Sequence, residues 1–192
     1  MRTNRPHALA RHHHPLPACV HRGRDSLVDR SRAGKDCERG LTWIKPSFLW
    51  MMYRCGWGTK EGQETVLAVE ISREGFEWAL RRSCLSHYVP ELHESRGAWQ
   101  REVRRSPARV QWDPERDLRL APLPYRSLQL GLSGEAAARY ADEWIVGIED
   151  VTPLARQIHG LVRARDLEAA TALLPDEPPY PVAADVLAHL RS

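Results

Sequence analysis

The chain has 192 residues, with 28 Lys and Arg against 25 Asp and Glu, and 42% of its residues are hydrophobic. This length suggests one domain with a real core. The longest apolar run, residues 48–53, is far shorter than the roughly 20 residues that cross a membrane. No secretory signal pattern is visible, and the four cysteines form no CxxC pair. We therefore expect a cytoplasmic protein with no membrane partner, no disulfide framework and no zinc site.

The first 40 residues differ in composition from the rest of the chain. They contain nine Lys and Arg against four Asp and Glu, a net charge of +5, whereas the remaining residues carry a net charge of −2. They also hold five of the nine histidines and none of the 14 aromatic residues. Because such a segment cannot bury enough apolar surface to offset its conformational entropy, we interpret residues 1–40 as disordered.

Three explanations of this basic segment remain open. It can be an arm that binds nucleic acid through the phosphates, and the histidines at 12–14 can bind a metal ion, although adjacent histidines seldom make a defined site. The third explanation is a bacterial-type, GC-rich gene read in the wrong frame, which yields Arg, His, Pro, Ala and Gly without aromatic residues. We favour a wrong frame or start codon upstream of about residue 40, because the composition changes abruptly at Leu41.

The body of the chain alternates between helical and strand patterns. An apolar helix follows Pro46, which suits a first helical turn, and Ser72 has the residue type of an N-cap. In chain order the predicted elements are a helix over 47–54, a strand over 65–71, a helix after 72, a polar helix over 95–105, strands over 108–112 and 125–132, a helix from 133, a strand over 144–148, and helices over 152–164, 166–174 and 183–190.

This pattern predicts an α+β fold. We expect a single domain in which a small mixed or mainly antiparallel sheet is flanked by helices. The predicted boundaries are 1–40 for the basic segment, 41–182 for the α+β domain and 183–192 for a terminal helix or tail. No internal repeat, heptad array or phosphate-binding P-loop is visible.

Four blocks of the body carry a family resemblance: TWIKPSFLWMMYR (42–54), GWGTKEGQETVLAVEISREGFEWAL (56–80), VQWDPERDLRLAPLPYRSLQLGL (110–132) and DEWIVGIEDVTPLAR (142–156). Together they resemble the family called domain of unknown function 4291, from about Thr42 to about Pro181. The resemblance implies a single α+β domain and no assigned reaction. Relatives usually have an aromatic-containing strand and a helix before the first block, which supports the reading-frame explanation, and they often carry serine where this chain has Cys55.

The first candidate site lies at a predicted strand end. Asp113-Pro114-Glu115 places two carboxylates in one tight turn, a suitable position for general acid–base chemistry or for binding a ribose. We take Glu115, Gln111 and Asp113 as candidate catalytic residues. The structural alternative, which we favour, is that Asp113 caps the turn and Glu115 pairs with Arg116 or Arg119 in solvent.

The predicted strand over 125–132 adds candidate ligand-binding residues. Its alternation places Ser127 and Gln129 on one face, so Gln129 is the better partner for a pocket lined by Gln111. Arg126 lies on the other face of this strand. It is also a candidate ligand-binding residue, and its structural alternative is an edge or surface arginine.

The second candidate site combines aromatic rings with cations. Together these residues can stack a base or nicotinamide and hold a phosphate; they are Lys45, Trp50, Tyr53, Arg54, Trp57 and Lys60. The alternative, which we favour, is that Trp50 and Tyr53 are core rings of a buried helix whose charged ends are Lys45 and Arg54.

Two further patterns carry less weight as catalytic or ligand sites. Cys84, Ser86 and His87 suggest a nucleophilic site, but no third orienting group has a recognisable spacing. His159 lies on a helix face, and we expect it to be a packing residue. No metal is predicted, because no cluster of His, Cys and Asp has ligand spacing.

Three functions from different classes follow. The first is an enzyme acting on a nucleotide or nucleic acid, similar at the level of fold to the ADP-ribosyltransferase architecture, in which case NAD would be the cofactor. Such a transferase would also need Arg or His on its first strand, and we recognise neither there. The second is a noncatalytic nucleic-acid-binding module that uses the basic arm. The third is a protein-interaction module with no chemistry.

Overall fold

The computed structural model describes residues 16–21 and 41–190, and for 16–21 only the backbone is considered. Helices and strands alternate along the described chain, so the prediction of an α+β fold is confirmed. The elements are β1 (Leu16–His21), β2 (Thr42–Ile44), α1 (Phe48–Cys55), β3 (Val66–Ile71), α2 (Arg73–Arg81), β4 (Ser83–Leu85), α3 (Arg96–Arg105), β5 (Ala108–Arg116), β6 (Pro122–Leu132), α4 (Gly134–Arg139), a π-helix (Tyr140–Trp144), β7 (Ile145–Asp150), α5 (Thr152–Arg163), α6 (Leu167–Ala172) and α7 (Ala184–His189).

The strands form two sheets. One has the order β1–β3–β7 and is antiparallel throughout. The other has the order β2–β6–β5–β4 and is antiparallel except for the parallel pair of β4 and β5. A mainly antiparallel arrangement with one mixed sheet is therefore confirmed, although the strands divide between two sheets rather than lying in one.

The main core lies against one face of the β5–β6 pair. Leu128, Leu130 and Leu132 alternate along β6 and are each fully buried. Helix α2 packs against them through Phe76, Ala79 and Leu80, which recur at the helical spacing of the sequence. Ser72 caps this helix by accepting a hydrogen bond from the Gly75 backbone, as predicted.

A second apolar cluster joins α1 to α5 and α6. Helix α1 buries Phe48, Trp50, Met51, Met52 and Cys55, so it is enclosed on most sides, as its composition predicts. The Ser47 hydroxyl caps it by accepting a hydrogen bond from the Trp50 backbone at 3.2 Å. Pro46 precedes this cap instead of occupying the first helical turn.

Strand β5 is longer than predicted, and this changes the setting of the candidate carboxylates. The prediction that the strand ends at Asp113-Pro114 is wrong, because β5 continues to Arg116. Pro114 lies opposite Arg126, and the register then shifts so that Arg116 lies opposite Pro122 while Glu115 has no ladder partner, as at a β-bulge. The tight turn forms instead around Asp117.

Part of the basic segment 1–40 lies within the described residues. Leu16–His21 form β1, with Leu16 opposite Ile71 and His21 opposite Val66. The structure therefore has a strand at these positions of the segment interpreted as disordered, because the edge of β3 can pair with the backbone of any extended segment. The disorder, basic-arm, histidine and reading-frame hypotheses otherwise concern residues 1–15 and 22–40, outside the described residues.

Candidate functional site

A buried lysine lies at the centre of the first candidate site. Lys45 directly follows β2 and is 1% exposed. Its Nζ donates to the Ser127 carbonyl at 3.0 Å and lies 3.5 Å from Asp113 Oδ2. Burial lowers the pKa of Lys45 to about 8, against the opposing attraction of Asp113 and Glu115. The amine is therefore still protonated at neutral pH but close to its titration range.

Asp113 is held between this lysine and an amide on its own strand. Gln111 Nε2 donates to Asp113 Oδ1 at 2.8 Å, while Lys45 lies beside the other carboxylate oxygen. Across the β5–β6 pair, Gln111 lies opposite Gln129 and Asp113 lies opposite Ser127. The predicted placement of Gln111, Ser127 and Gln129 on a common face is confirmed, because directly opposed residues of paired strands share a face.

Glu115 connects β5 to the start of α1. Its Oε1 accepts a hydrogen bond from the Ser47 hydroxyl at 2.6 Å and another from the Arg116 backbone at 2.9 Å. Its partners are therefore a helix cap and a backbone N–H, instead of the guanidinium in solvent that the structural alternative expected. Because Ser47 also caps α1, the position of the Glu115 carboxylate depends on where this helix begins.

A third carboxylate, which the sequence analysis did not identify, meets the same helix end. Glu177 is itself exposed over part of its surface, but its Oε1 accepts a hydrogen bond from the Phe48 backbone at 2.5 Å, which holds the carboxyl group at the start of α1. Burial of the carboxyl group raises the pKa of Glu177 to about 7, and the nearby Glu115 adds to this while Lys45 opposes it. The residue lies in the Pro-rich stretch before α7, and no motif marks it.

Two exposed tyrosines border these charged groups. Tyr125 on β6 is 39% exposed, and its pKa is raised by partial burial and by the charges of Glu115 and Glu177. Tyr53 on α1 is 43% exposed, and the Arg116 guanidinium lies 3.6 Å from its ring centroid. The expectation that Tyr53 is a core ring is wrong, because it lies on the solvent side of α1.

The remaining aromatic and cationic residues of the second candidate site differ in their exposure. Trp50 is buried, with the Lys45 amine 4.8 Å from its ring centroid. Trp57 is buried and stacks on His159 at 5.4 Å, which agrees with the expected packing role of that histidine. Arg54 is exposed, and its carbonyl accepts a hydrogen bond from Lys60.

Two other predicted groups lie apart from the cluster around Lys45, which consists of Lys45, Asp113, Glu115 and Glu177. Arg126 is exposed and donates to the Trp112 carbonyl at 2.7 Å. It lies opposite Pro114, whereas Asp113 lies opposite Ser127, so Arg126 is not on the face that carries Asp113. Cys84 is buried, and burial raises the pKa of its thiol, which disfavours a nucleophilic role. Among the described residues, no three His, Cys, Asp or Glu side chains are arranged to hold a metal ion.

Comparison with known proteins places the chain in a family. No curated protein and no solved structure matches it. No helix within residues 41–190 is long and apolar enough to span a membrane. One family profile matches residues 32–180, which include all the residues of the cluster around Lys45, and it begins about ten residues before the resemblance seen in the sequence blocks. The chain therefore belongs to the family described as a domain of unknown function (DUF4291).

Proposed function

We propose that the protein is an enzyme acting on a nucleotide or nucleic acid, with its active site at Lys45, Asp113, Glu115 and Glu177. One observation carries this proposal: the buried Lys45 amine lies 3.5 Å from Asp113, and the carboxylates of Glu115 and Glu177 both meet the start of α1, through Ser47 and Phe48. A carboxyl group whose pKa lies close to neutrality, as that of Glu177 does, can both accept and donate a proton near pH 7. Perturbed pKa values of this kind concentrate at functional sites.

The cluster suggests different roles for its members. Glu115 is partly exposed and oriented by two hydrogen bonds, so we assign it the contact with the substrate, either to a ribose hydroxyl or to positive charge that develops during the reaction. Lys45 is too deeply buried to touch a ligand. Together with Gln111 it acts as a positioning residue that orients Asp113.

The surroundings of Glu115 favour a nucleotide as the substrate. The rings of Tyr53 and Tyr125 are exposed and can stack on a base. Arg116, which lies against Tyr53, can contact a phosphate. The amide of Gln129 is available on the face shared with Gln111. The two-sheet architecture with a glutamate near the end of a strand is also compatible with an ADP-ribosyltransferase-like enzyme, and this analogy makes NAD the first nucleotide to test.

Glu115→Gln tests the proposal, with Glu168→Gln on the exposed face of α6 as the matched control. We expect NAD or another nucleotide to raise the Tm of the wild type, since a ligand at 100 times its Kd adds about 2.7 kcal/mol to the free energy of unfolding. E115Q should lose the Tm shift or the release of nicotinamide from NAD, whereas E168Q should keep both. If no nucleotide or oligonucleotide shifts the Tm, or if both variants behave alike, the proposal is overturned.

The alternative is a protein-interaction module, and one observation favours it. Val146 and Ile148 are 58% and 57% exposed on β7, which is an edge strand of the β1–β3–β7 sheet. Exposed apolar residues on an edge strand can pair with another chain. An oligomeric state that changes on Val146→Lys, in a protein that binds no nucleotide, would support this alternative.

A further inference from the structure

A shallow groove of about 410 Å³ lies between the C-terminal end of α2 and one face of α3. Arg82, which follows α2, lines one side of it, and Arg101 and Arg105 of α3 line the other. The groove residues of α3 are spaced three and four apart, so they share one face of that helix. Ser106 and Pro107, just before β5, complete the lining.

The arginines of this groove are not neutralised by neighbouring carboxylates. The groove contains one acidic residue, Glu102, whose carboxylate lies 4.0 Å from His93 Nε2. Within the described part of the chain, Arg101 and Arg105 make no ion pair within 4.0 Å. Arg81, by contrast, is held by two carboxylates on the neighbouring surface. The groove therefore keeps an excess of positive charge.

Helix α3 contributes this charge without contributing to the core. None of its residues is buried, and Trp99 attaches it to β4 through a hydrogen bond from Nε1 to the Leu85 carbonyl at 3.0 Å. Residues 81–109 contain seven arginines and three glutamates, whereas residues 41–192 together carry a net charge of −2. The positive charge of the body is thus concentrated around one solvent-exposed helix.

We propose that this groove binds consecutive phosphates of a nucleic-acid backbone. Guanidinium groups bind phosphates through paired hydrogen bonds, and three of them line the groove. The groove is shallow and open along its length, so it suits an extended polyanion better than an enclosed small nucleotide. Recognition would be of phosphates rather than bases, and therefore strongly dependent on salt concentration.

The groove and the cluster around Lys45 lie at different points along the same strand, β5. Pro107 directly precedes β5, and Asp113 lies six residues further along the chain, a separation of about 20 Å for an extended strand at ~3.4 Å per residue. A single strand of several nucleotides can span this distance. The inference that the groove guides a nucleic-acid substrate towards Glu115 rests on the proposed function, whereas binding of the backbone by the groove does not.

Two neighbouring arginines of α3 provide a matched test. Arg105 lines the groove, and Arg104 is likewise exposed but does not line it. We would measure the binding of a 20-nucleotide single strand of mixed sequence to the full chain by fluorescence anisotropy, at several salt concentrations. Arg105→Gln should weaken binding about tenfold at low salt and reduce the salt slope by about one, while Arg104→Gln changes it less than about twofold.

The controls separate this proposal from the proposed function. Arg105→Lys keeps the charge and should restore most of the binding, and unchanged thermal unfolding of R105Q would show that the variant is folded. Glu168→Gln on α6, outside both the groove and the cluster around Lys45, should bind the oligonucleotide as the wild type does. Equal losses in R104Q and R105Q, or no salt-dependent binding, would overturn the groove proposal, and a nucleotide-dependent Tm shift in the same protein would leave the proposed function standing.

Discussion

The two faces of the β5–β6 pair differ sharply, although the same two strands form both. On one face Val110, Leu128 and Leu130 are at most 1% exposed and belong to the main core. On the other face Gln111 and Gln129 lie directly opposite each other and remain partly exposed. Because the two sets alternate along shared strands, the backbone hydrogen bonds of the pair serve both equally. The difference between the faces therefore comes from the side chains and from what covers them.

This difference separates the source of stability from the proposed source of function. The apolar face is covered by α2 and stabilises the fold through the burial of apolar surface. The polar face receives Lys45 from β2 and, near Glu115, the start of α1, and these bring charged groups out of water. Burying charges costs free energy unless they are paired. Substitutions on the two faces should consequently have different effects.

The largest expected effect is on the free energy of unfolding, and it is tested at Leu130 and Gln129, neighbours in β6 that lie on opposite faces of the pair. Leu130→Ala should lower the free energy of unfolding by about 2–5 kcal/mol, because it leaves a cavity at a fully buried position. Gln129→Ala removes a partly exposed amide, and we expect a loss below about 1 kcal/mol. Urea unfolding of the two variants measures both values. Similar losses would show that the polar face is packed as tightly as the core.

A smaller effect is expected where an aromatic ring covers the polar face. Trp43 lies over Gly131, and a Cβ at this glycine would be 2.9 Å from the ring. Gly131→Ala should therefore destabilise the fold by about 1–3 kcal/mol through overpacking. Gly160→Ala on α5 is the control, since no atom lies within 4 Å of its added Cβ, and alanine should stabilise this helix by about 0.5–1 kcal/mol. A neutral G131A would mean that Trp43 can move aside.

Local patterns predicted the apolar face well and the surroundings of the polar face poorly. The alternation over 125–132 and the cap at Ser72 depend on near neighbours in the sequence, and both appear as predicted. Strands β2 and β4 have three residues each, too few to show a period, and they exist because longer strands pair with them. Strand β5 continues past Pro114 through a bulge, whereas the proline in the sequence predicts the end of the strand.

The candidate site shows the same limit. The pairing of Gln111 with Gln129 follows from the period of two in a strand, so the sequence predicts it. Glu177, by contrast, meets Phe48 across 129 positions of sequence, and its only local signal is an acidic residue in a Pro-rich stretch. The apolar neighbours of Tyr53 in the sequence predict a core ring, although its place on the helix turns it to solvent. Long-range contacts, rather than residue types, complete the site.

The pH dependence of stability tests the burial of Lys45. Its pKa is about 8 in the folded protein and 10.5 in an ordinary setting, so between these values the unfolded chain binds more protons. The free energy of unfolding should therefore rise with pH across this window. Lys45→Met should remove this rise, whereas Lys60→Met, at an exposed lysine, should keep it. Denaturant unfolding at pH 7.5 and pH 10 compares the variants, and an equal rise in K45M would contradict the burial of the charged amine.

The smallest expected effect, a Tm change of a few degrees, concerns Glu177 and has the opposite sign with pH. Its pKa is about 7 in the folded protein against an ordinary value of 4.5, so the folded state binds more protons between these values and stability should fall as pH rises through them. Glu177→Gln keeps an oxygen that can accept from the Phe48 N–H but cannot ionise. E177Q should therefore have a higher Tm than the wild type at pH 8 and an equal one near pH 4.5.

Asp176→Asn, at the exposed neighbouring position, is the control and should show no such crossover. A lower Tm of E177Q at pH 8 would mean that the hydrogen bond to α1 and the attraction of Lys45 outweigh the cost of burying the carboxylate. A higher Tm would show that this carboxylate destabilises the protein in its charged form. Since a residue that weakens the fold near neutral pH is hard to explain by structure alone, that result would also favour a chemical role for the cluster over a purely structural one.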